Sequence, residues 1–313
     1  MVMPRTRKFR FGVQTSRAGS RDEWVAKARK IEDLGFSTLL MPDHFEDQYA
    51  PVPALMAAAD ATTTLRVGTL VFDNDYKHPV VLAKQAATLD VLSGGRLEFG
   101  IGAGWMTSDY EQSGMAYDPP GLRIARLKEG LAVIKGLWGD EPVDFDGKHY
   151  RVHMNGLPKP AQRPHPPILI GGGGKRVLGY AAREADIIGV NFMLAEGVVN
   201  REVMTTGSAA ATAEKIGWIR DAAGPRFDDI ELNVTVFAAI VTDDRAGMSE
   251  RLAPRFGVTP AELPDTPHVL LGNVDQIAED LQRRRDRFGF SYVVISGDGF
   301  EQLAPVVKKL AGT

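Results

Sequence analysis

The chain has 313 residues, 44% of them hydrophobic and 25% charged, the balance of an ordinary soluble globular protein with ample material for a core. Its 40 acidic and 37 basic side chains leave a net charge of −3, which excludes the basic field that gathers nucleic acid or anionic lipid. Cysteine is absent, so disulfides, thiolate metal sites and cysteine nucleophiles are excluded, and no apolar run approaches the ~18 residues needed to span a bilayer.

No secretory apolar segment follows the first residues, so a cytoplasmic location is the expectation. Residues 1–8, with the basic stretch Arg5-Thr6-Arg7-Lys8, read as a solvated tail. Residues 9–14 read as a strand and 21–34 as a helix with Trp24, Ala28 and Ile31 on one face, closed by Gly35. A second strand at 37–41 precedes an Ala-rich helix at 53–63. A third strand at 66–72 precedes a helix at 79–92, which Pro79 is placed to start. The fourth strand, 97–102, is followed by a long amphipathic helix at 122–138 and a hairpin at 143–152 turning at Asp146-Gly147. Strands at 167–170, 186–190, 230–241 and 292–296 then alternate with helices at 176–184, 209–223, 274–288 and 300–310.

Eight strand–helix units in strict alternation imply parallel strands with right-handed crossovers. Runs such as Leu39-Leu40-Met41 and Val293-Val294-Ile295 are apolar throughout, as strands buried on both faces require. The expected fold is therefore a single (β/α)8 TIM-like barrel over residues 1–313, favoured over an open doubly wound sheet. Long insertions at 140–166, 193–207 and 243–268 are expected to cover a site or an interface.

In such a barrel the site lies at the C-terminal ends of the strands. The fifth strand ends in Gly171-Gly172-Gly173-Gly174 and runs at once into a helix beginning Lys175-Arg176. Glycines let a ligand approach the backbone, and a helix start offers unpaired amides and a positive dipole end. A loose strand-to-helix turn is the plain alternative; four glycines flanked by two cations favour an anion site. Asp43-His44, at the mouth of the second strand, is either a loop-capping pair or a functional one, since an imidazole exchanges a proton near neutral pH and a carboxylate can orient it. Gly100-Ile101-Gly102-Ala103-Gly104 lets a flat ligand lie against backbone, with Trp105 and Tyr110 as walls or as ordinary packing. Strand six ends near Asn191. Asp90, Arg96, Arg123 and Arg126 read as structural charges. The six histidines are scattered, so no metal site is expected, and no Gly-x-Ser-x-Gly elbow is present.

Taken in order, these segments resemble the bacterial-luciferase-like flavin and deazaflavin oxidoreductase superfamily. The matching stretches are Met41-Pro42-Asp43-His44, Arg66-Val67-Gly68-Thr69, the run from Leu89 to Arg96, Gly100 to Trp105, Lys159-Pro160-Ala161-Gln162 and Pro166 to Gly172. The resemblance is close over residues 9 to 190 and looser beyond. It implies a barrel holding a planar cofactor at the strand C-termini, coenzyme F420 (a deazaflavin) or alternatively FMN. Leu70 and Val71 would be joined by a cis peptide that supports the ring, and Asp43 and His44 would be catalytic, with Asp43 also on the cofactor. Ala103, Gly104, Trp105, Tyr110 and Asn191 would complete the cofactor site, and Gly171, Gly172, Gly173 and Gly174 would hold its phosphate. Trp105 stands where sugar-phosphate dehydrogenases of this branch carry an acidic proton donor, which argues against that reaction. The implied activity is hydride transfer between F420 and a small organic substrate. The alternatives are an FMN-dependent monooxygenase that uses oxygen and is fed by a separate reductase, and a non-catalytic ligand-binding barrel. A homodimer or higher homo-oligomer, with the early helices at the interface, is also implied; nucleic-acid and membrane partners are not expected.

Overall fold

A computed structural model describes residues 7–313. The tail expected over residues 1–8 therefore lies, for residues 1–6, outside the described residues. Eight strands form the frame: β1 (Arg10–Gln14), β2 (Thr38–Met41), β3 (Arg66–Thr69), β4 (Leu97–Gly102), β5 (Ile168–Gly172), β6 (Ile187–Val190), β7 (Glu231–Val236) and β8 (Phe290–Ser296). Each pairs in parallel with its chain neighbours, β8 pairs with β1, and β3 meets β4 through Val67 opposite Leu97 and Gly68 opposite Glu98. The sheet is closed. This is the expected TIM barrel, with helices between successive strands.

Alternation along the strands sorts side chains into two layers. Leu40, Leu169, Ile187, Tyr292 and Val294 fill the barrel interior, and Leu70 and Val71 rest on that layer. The opposite faces carry residues such as Leu39, Val67, Phe99 and Ile170, which pack against the surrounding helices in the main core. Local signals fix the helix starts. Ser20 caps Arg21–Asp33 by accepting from the Glu23 amide, and Asn273 forms a reciprocal capping box with Gln276 at the head of Val274–Phe288.

Four expected elements differ. The strand placed at 66–72 stops at Thr69; the Leu70-Val71 peptide is cis, and Phe72–Asp73 then pairs with Ile101 and Gly102 of β4. The strand placed at 230–241 divides at Phe237. The amides of Phe237 and Ala238 both turn to the His268 carbonyl, and Ala238–Val241 leaves the barrel to pair with Val269–Gly272 in a separate two-stranded parallel sheet. The stretch 243–268, read as a loop, holds a helix at Arg245–Phe256, capped by Asp244 on the Gly247 amide. The helix placed at 300–310 begins as a 3-10 turn, Asp298–Leu303, and becomes α-helical only over Ala304–Leu310, where Pro305 fits the first turn. The hairpin forms as expected, with Val143–Asp146 antiparallel to Arg151–Met154.

Candidate active site

The strand C-termini open into a cavity of about 560 Å³. Leu70 and Val71, seated on the interior layer, line it from below, and Gln14 at the end of β1 ties the Leu70 carbonyl through its side-chain amide at 2.7 Å. Asp43 and His44, following β2, and Ala103, Gly104 and Trp105, following β4, form one side. Gly171 to Gly174, at and beyond the end of β5, and Asn191 after β6 form the other, and β6 lies across the closed barrel from β2. Tyr110 is the exception among the expected site residues. It is buried behind the wall, its hydroxyl on Asp75 at 3.0 Å and Asp73 at 3.2 Å.

His44 is the best-defined polar group of the cavity. Its Nδ1 lies 2.7 Å from Oδ2 of Asp109, which leaves Nε2 as the ring nitrogen free of that contact. Asp109 is itself buried and fixed, accepting from the Tyr76 hydroxyl at 2.8 Å and from the Phe45 amide at 3.1 Å. The indole of Trp105 meets the imidazole edge-on, with ring centroids 5.7 Å apart. Asp43 accepts from Lys77 Nζ at 2.8 Å and from the Asp73 amide at 3.3 Å. Burial pushes the Asp73 carboxyl up to about 7, and the charges of Asp75 and Asp43 add to that, against hydrogen bonds from the Asp75 amide and Tyr110. Burial, with Asp73 and Asp109 beside Tyr76 and Asp73 and Asp75 beside Tyr110, holds both hydroxyls well above the phenol range, so both act as donors.

The glycine run has two separate tasks. A Cβ on Gly173 would run into the Phe192 carbonyl, and one on Gly172 would strike Val177, so these two are glycines because protein packs there. A Cβ on Gly174 would meet nothing within 4 Å. Gly174 is also the N-cap of Lys175–Glu184, and no side chain caps that helix, so its first amides and its positive end remain open. The side chains of Lys175 and Arg176 are not part of the cavity wall; a Cβ on Gly121 would meet the Arg176 guanidinium.

Three contributors were not singled out from sequence. Asp109 stands 65 residues from the histidine it holds. Lys215 is buried in Ala209–Ala223 and donates to the carbonyls of Asn191 and Thr206, both at 2.6 Å, pinning the two ends of a cavity loop; burial lowers its ammonium to about 8. Arg123, read as structural, does brace structure, donating to the Gly104 and Asp118 carbonyls and the Tyr117 hydroxyl, yet it also lines the cavity. Arg96 behaves as read, with its guanidinium on the carbonyls of Ala59, Leu65 and Ser93.

The family model described as luciferase-like monooxygenase matches residues 7–291. The chain belongs to this family. A relative in Mycobacterium tuberculosis, an uncharacterized protein, is 34% identical over 52% of this chain, and the match spans 65% of that protein's own length. An F420-dependent glucose-6-phosphate dehydrogenase of Kribbella flavida is 28% identical over 91% of this chain and 90% of its own. An FMNH(2)-dependent dimethylsulfone monooxygenase of Pseudomonas putida is 29% identical over 66% of this chain and 60% of its own. In fold, the chain is similar to the coenzyme F420-dependent tetrahydromethanopterin reductase of Methanopyrus kandleri, with a TM-score of 0.75, 18% identity and coverage of 97% of this chain and 99% of that one. Both cofactor types thus occur among the relatives of this chain. Among the described residues no helix is long and apolar enough to cross a membrane.

Proposed function

We propose that this luciferase-like oxidoreductase uses coenzyme F420 for hydride transfer to or from a small organic substrate. The observation that carries the reading is His44, fixed by a buried carboxylate on Nδ1 and facing a cavity that ends in an uncapped helix start at Gly174. The residues suit such a group. Gly174 leaves open space beside unpaired amides where a phosphate would sit, and Leu70 and Val71 give the cavity an apolar floor suited to a planar ring. When bound, the deazaflavin supplies two-electron hydride chemistry.

The protein's part is binding, orientation and proton handling. Gly174 and the helix amides would hold the phosphate, and Leu70, Val71, Ala103 and Gly104 would support the ring. Asp43, kept in place by Lys77 and the Asp73 amide, would help hold the cofactor from the same side as His44. His44 takes or returns a proton through Nε2, and Asp109 sets its tautomer and steadies the imidazolium. Trp105 stands beside the imidazole and brings no ionisable group to it, so the proton role assigned here falls to His44, held by Asp109.

The second reading, an FMN-dependent monooxygenase, is supported by the likeness to the dimethylsulfone monooxygenase. Titration of the protein with F420 and separately with FMN, followed by fluorescence quenching, distinguishes them. Tight F420 binding with weak FMN binding is expected. Preference for FMN would overturn the deazaflavin reading and make oxygen the co-substrate to test; binding of neither would support a non-catalytic barrel.

A further inference from the structure

The polar and apolar parts of the cavity wall are segregated. Among the described residues its ionisable side chains are Asp43, His44, Asp73 and Arg123, all on the side built after β2, β3 and β4. Each is already engaged within the protein: Asp43 by Lys77, His44 by Asp109, Asp73 by the Asp75 amide, and Arg123 by two carbonyls and a phenol. Across the barrel, where the chain leaves β6 and β7, the wall carries no charge. Phe192, Met193, Leu194, Val199, Met204 and Phe237 line it instead.

Several of these apolar groups are held out in the open. Met193 is 40% exposed, Phe237 43% and Val199 59%, and all three border the same opening. Exposed apolar side chains scattered singly need no explanation, but three that border one cavity mouth mark a binding surface. The backing is rigid. Phe192, Phe237 and His268 form a triangle of rings, with centroids 4.3 to 5.8 Å apart, and His268 is fully buried with Nδ1 on the Thr235 carbonyl at 2.8 Å. Burial lowers the His268 imidazole to about 4, so near neutral pH it is an uncharged aromatic slab rather than a cation.

We propose that the substrate is an uncharged, predominantly apolar molecule with one carbonyl or hydroxyl group, its oxygen toward His44 and its hydrocarbon body on the Phe237–Met193–Val199 rim. This deepens the proposed function and rests on its placing of the cofactor at the glycine end, which leaves the rim for substrate. A sugar phosphate or other anion finds no uncommitted cation on the cavity wall, and its desolvation would go unrepaid. A hydrocarbon body removes its own surface and that of the rim from water together.

The test is calorimetric titration of the protein, with and without F420, by methyl ketones of increasing length from butanone to nonanone, and by glucose-6-phosphate. Affinity is expected to tighten about fourfold per added methylene, the effect of burying one CH₂ group. Glucose-6-phosphate should neither bind nor displace a ketone. Val199→Asp, at an exposed loop position where folding is not at stake, and Phe237→Ser should each flatten the chain-length trend while leaving F420 affinity unaltered. Binding of F420 with no chain-length trend, or with glucose-6-phosphate preferred, overturns this inference and spares the cofactor reading. A clear trend in a protein that does not bind F420 supports an apolar ligand and overturns the cofactor reading. A trend that survives both substitutions places the ketones elsewhere and overturns the assignment to the rim.

Discussion

At the scale of single residues, the site depends on a histidine whose useful nitrogen is chosen by its neighbour. With Nδ1 against Asp109, a neutral His44 carries its proton on Nδ1 and offers Nε2 as the acceptor. His44→Ala should therefore keep cofactor affinity and lose turnover by roughly 10²- to 10⁴-fold, the usual reach of acid–base catalysis. Asp109→Asn should also lose turnover, because an amide can present its nitrogen to Nδ1 and favour the other tautomer. Parallel cofactor titrations and steady-state rates check both; full turnover by His44→Ala would remove the proton-carrier role. Asp73 gives a pH test of the same network. Its folded-state pKa of about 7 lies above the ordinary 3.8, so the folded protein binds the extra proton more readily than the unfolded chain. Its contribution is thus best below about pH 4 and declines as pH rises through 7. Asp73→Asn, which cannot ionise, should melt a few degrees above the wild type at pH 8 and lose that advantage at pH 5. Thermal melts of the two proteins at both pH values decide it, and an advantage confined to pH 5 would reverse the sign.

At the scale of elements, one glycine run turns out to be two devices. Gly173 lies against the Phe192 carbonyl, so Gly173→Ala should cost stability. Gly174, at φ −94° and ψ 150° with no atom near its missing Cβ, accepts any side chain without strain. Gly174→Val should therefore fold like the wild type and bind F420 roughly tenfold more weakly, about 1.4 kcal/mol, by filling the space beside the helix amides. A melting curve and a titration on each variant separate the two effects, and unchanged affinity in Gly174→Val would sink the phosphate assignment. Sequence alone could not separate them, because the atoms that crowd Gly173 come from the turn after β6. The eight strand–helix units were legible because parallel strands buried on both faces carry continuous apolar runs, as in Leu39-Leu40-Met41 and Val293-Val294-Ile295. That same uniformity hid the break at Phe237. A run of apolar residues does not say where one strand ends and another begins, so Ala238–Val241 read as more of β7. Helix Arg245–Phe256 was missed for the opposite reason, its polar surface and internal Pro254 both resembling a loop. Asp43 and His44 were legible as neighbours in sequence. Asp109 was not, because it lies in the short helix Thr107–Ser113 after β4, and only the folded sheet, with β3 between β2 and β4, brings that helix to the turn after β2.

At the scale of the whole molecule, the two ends of the barrel divide the work. The C-terminal end holds the cavity, and the N-terminal end is sealed by charge. Arg10, at the start of β1, pairs with Glu231 at 2.6 Å and with Glu98, and its guanidinium lies 3.5 Å from the centre of the Tyr292 ring. Arg66, at the start of β3, reaches the same Glu98 at 2.9 Å, and the Tyr292 hydroxyl donates to Glu98 at 3.1 Å. Burial pulls the Arg10 pKa down, but Glu98, Tyr292 and Glu231 outweigh it and hold the guanidinium above its ordinary range. One carboxylate, 2% exposed, thus joins β1, β3, β4 and β8, and through Arg10 also β7. Removing that charge leaves two guanidiniums facing each other across the bottom of the barrel, and breaking one partner of a buried pair is far costlier than the pair's net worth. Glu98→Gln keeps shape and hydrogen-bonding capacity while removing the charge, so its cost reports the electrostatics. We expect a loss of about 3 kcal/mol, read as a lower urea midpoint at an unchanged m value. Because Glu98 lies at the far end from the cavity, F420 affinity below the unfolding transition should match that of the wild type. A midpoint shift of a few tenths of a kcal/mol would mean that the interior layer and the helix packing close the barrel unaided. A normal midpoint with weakened cofactor binding would mean that the two ends are coupled through the β4 strand that carries both Glu98 and the Gly100–Gly104 wall.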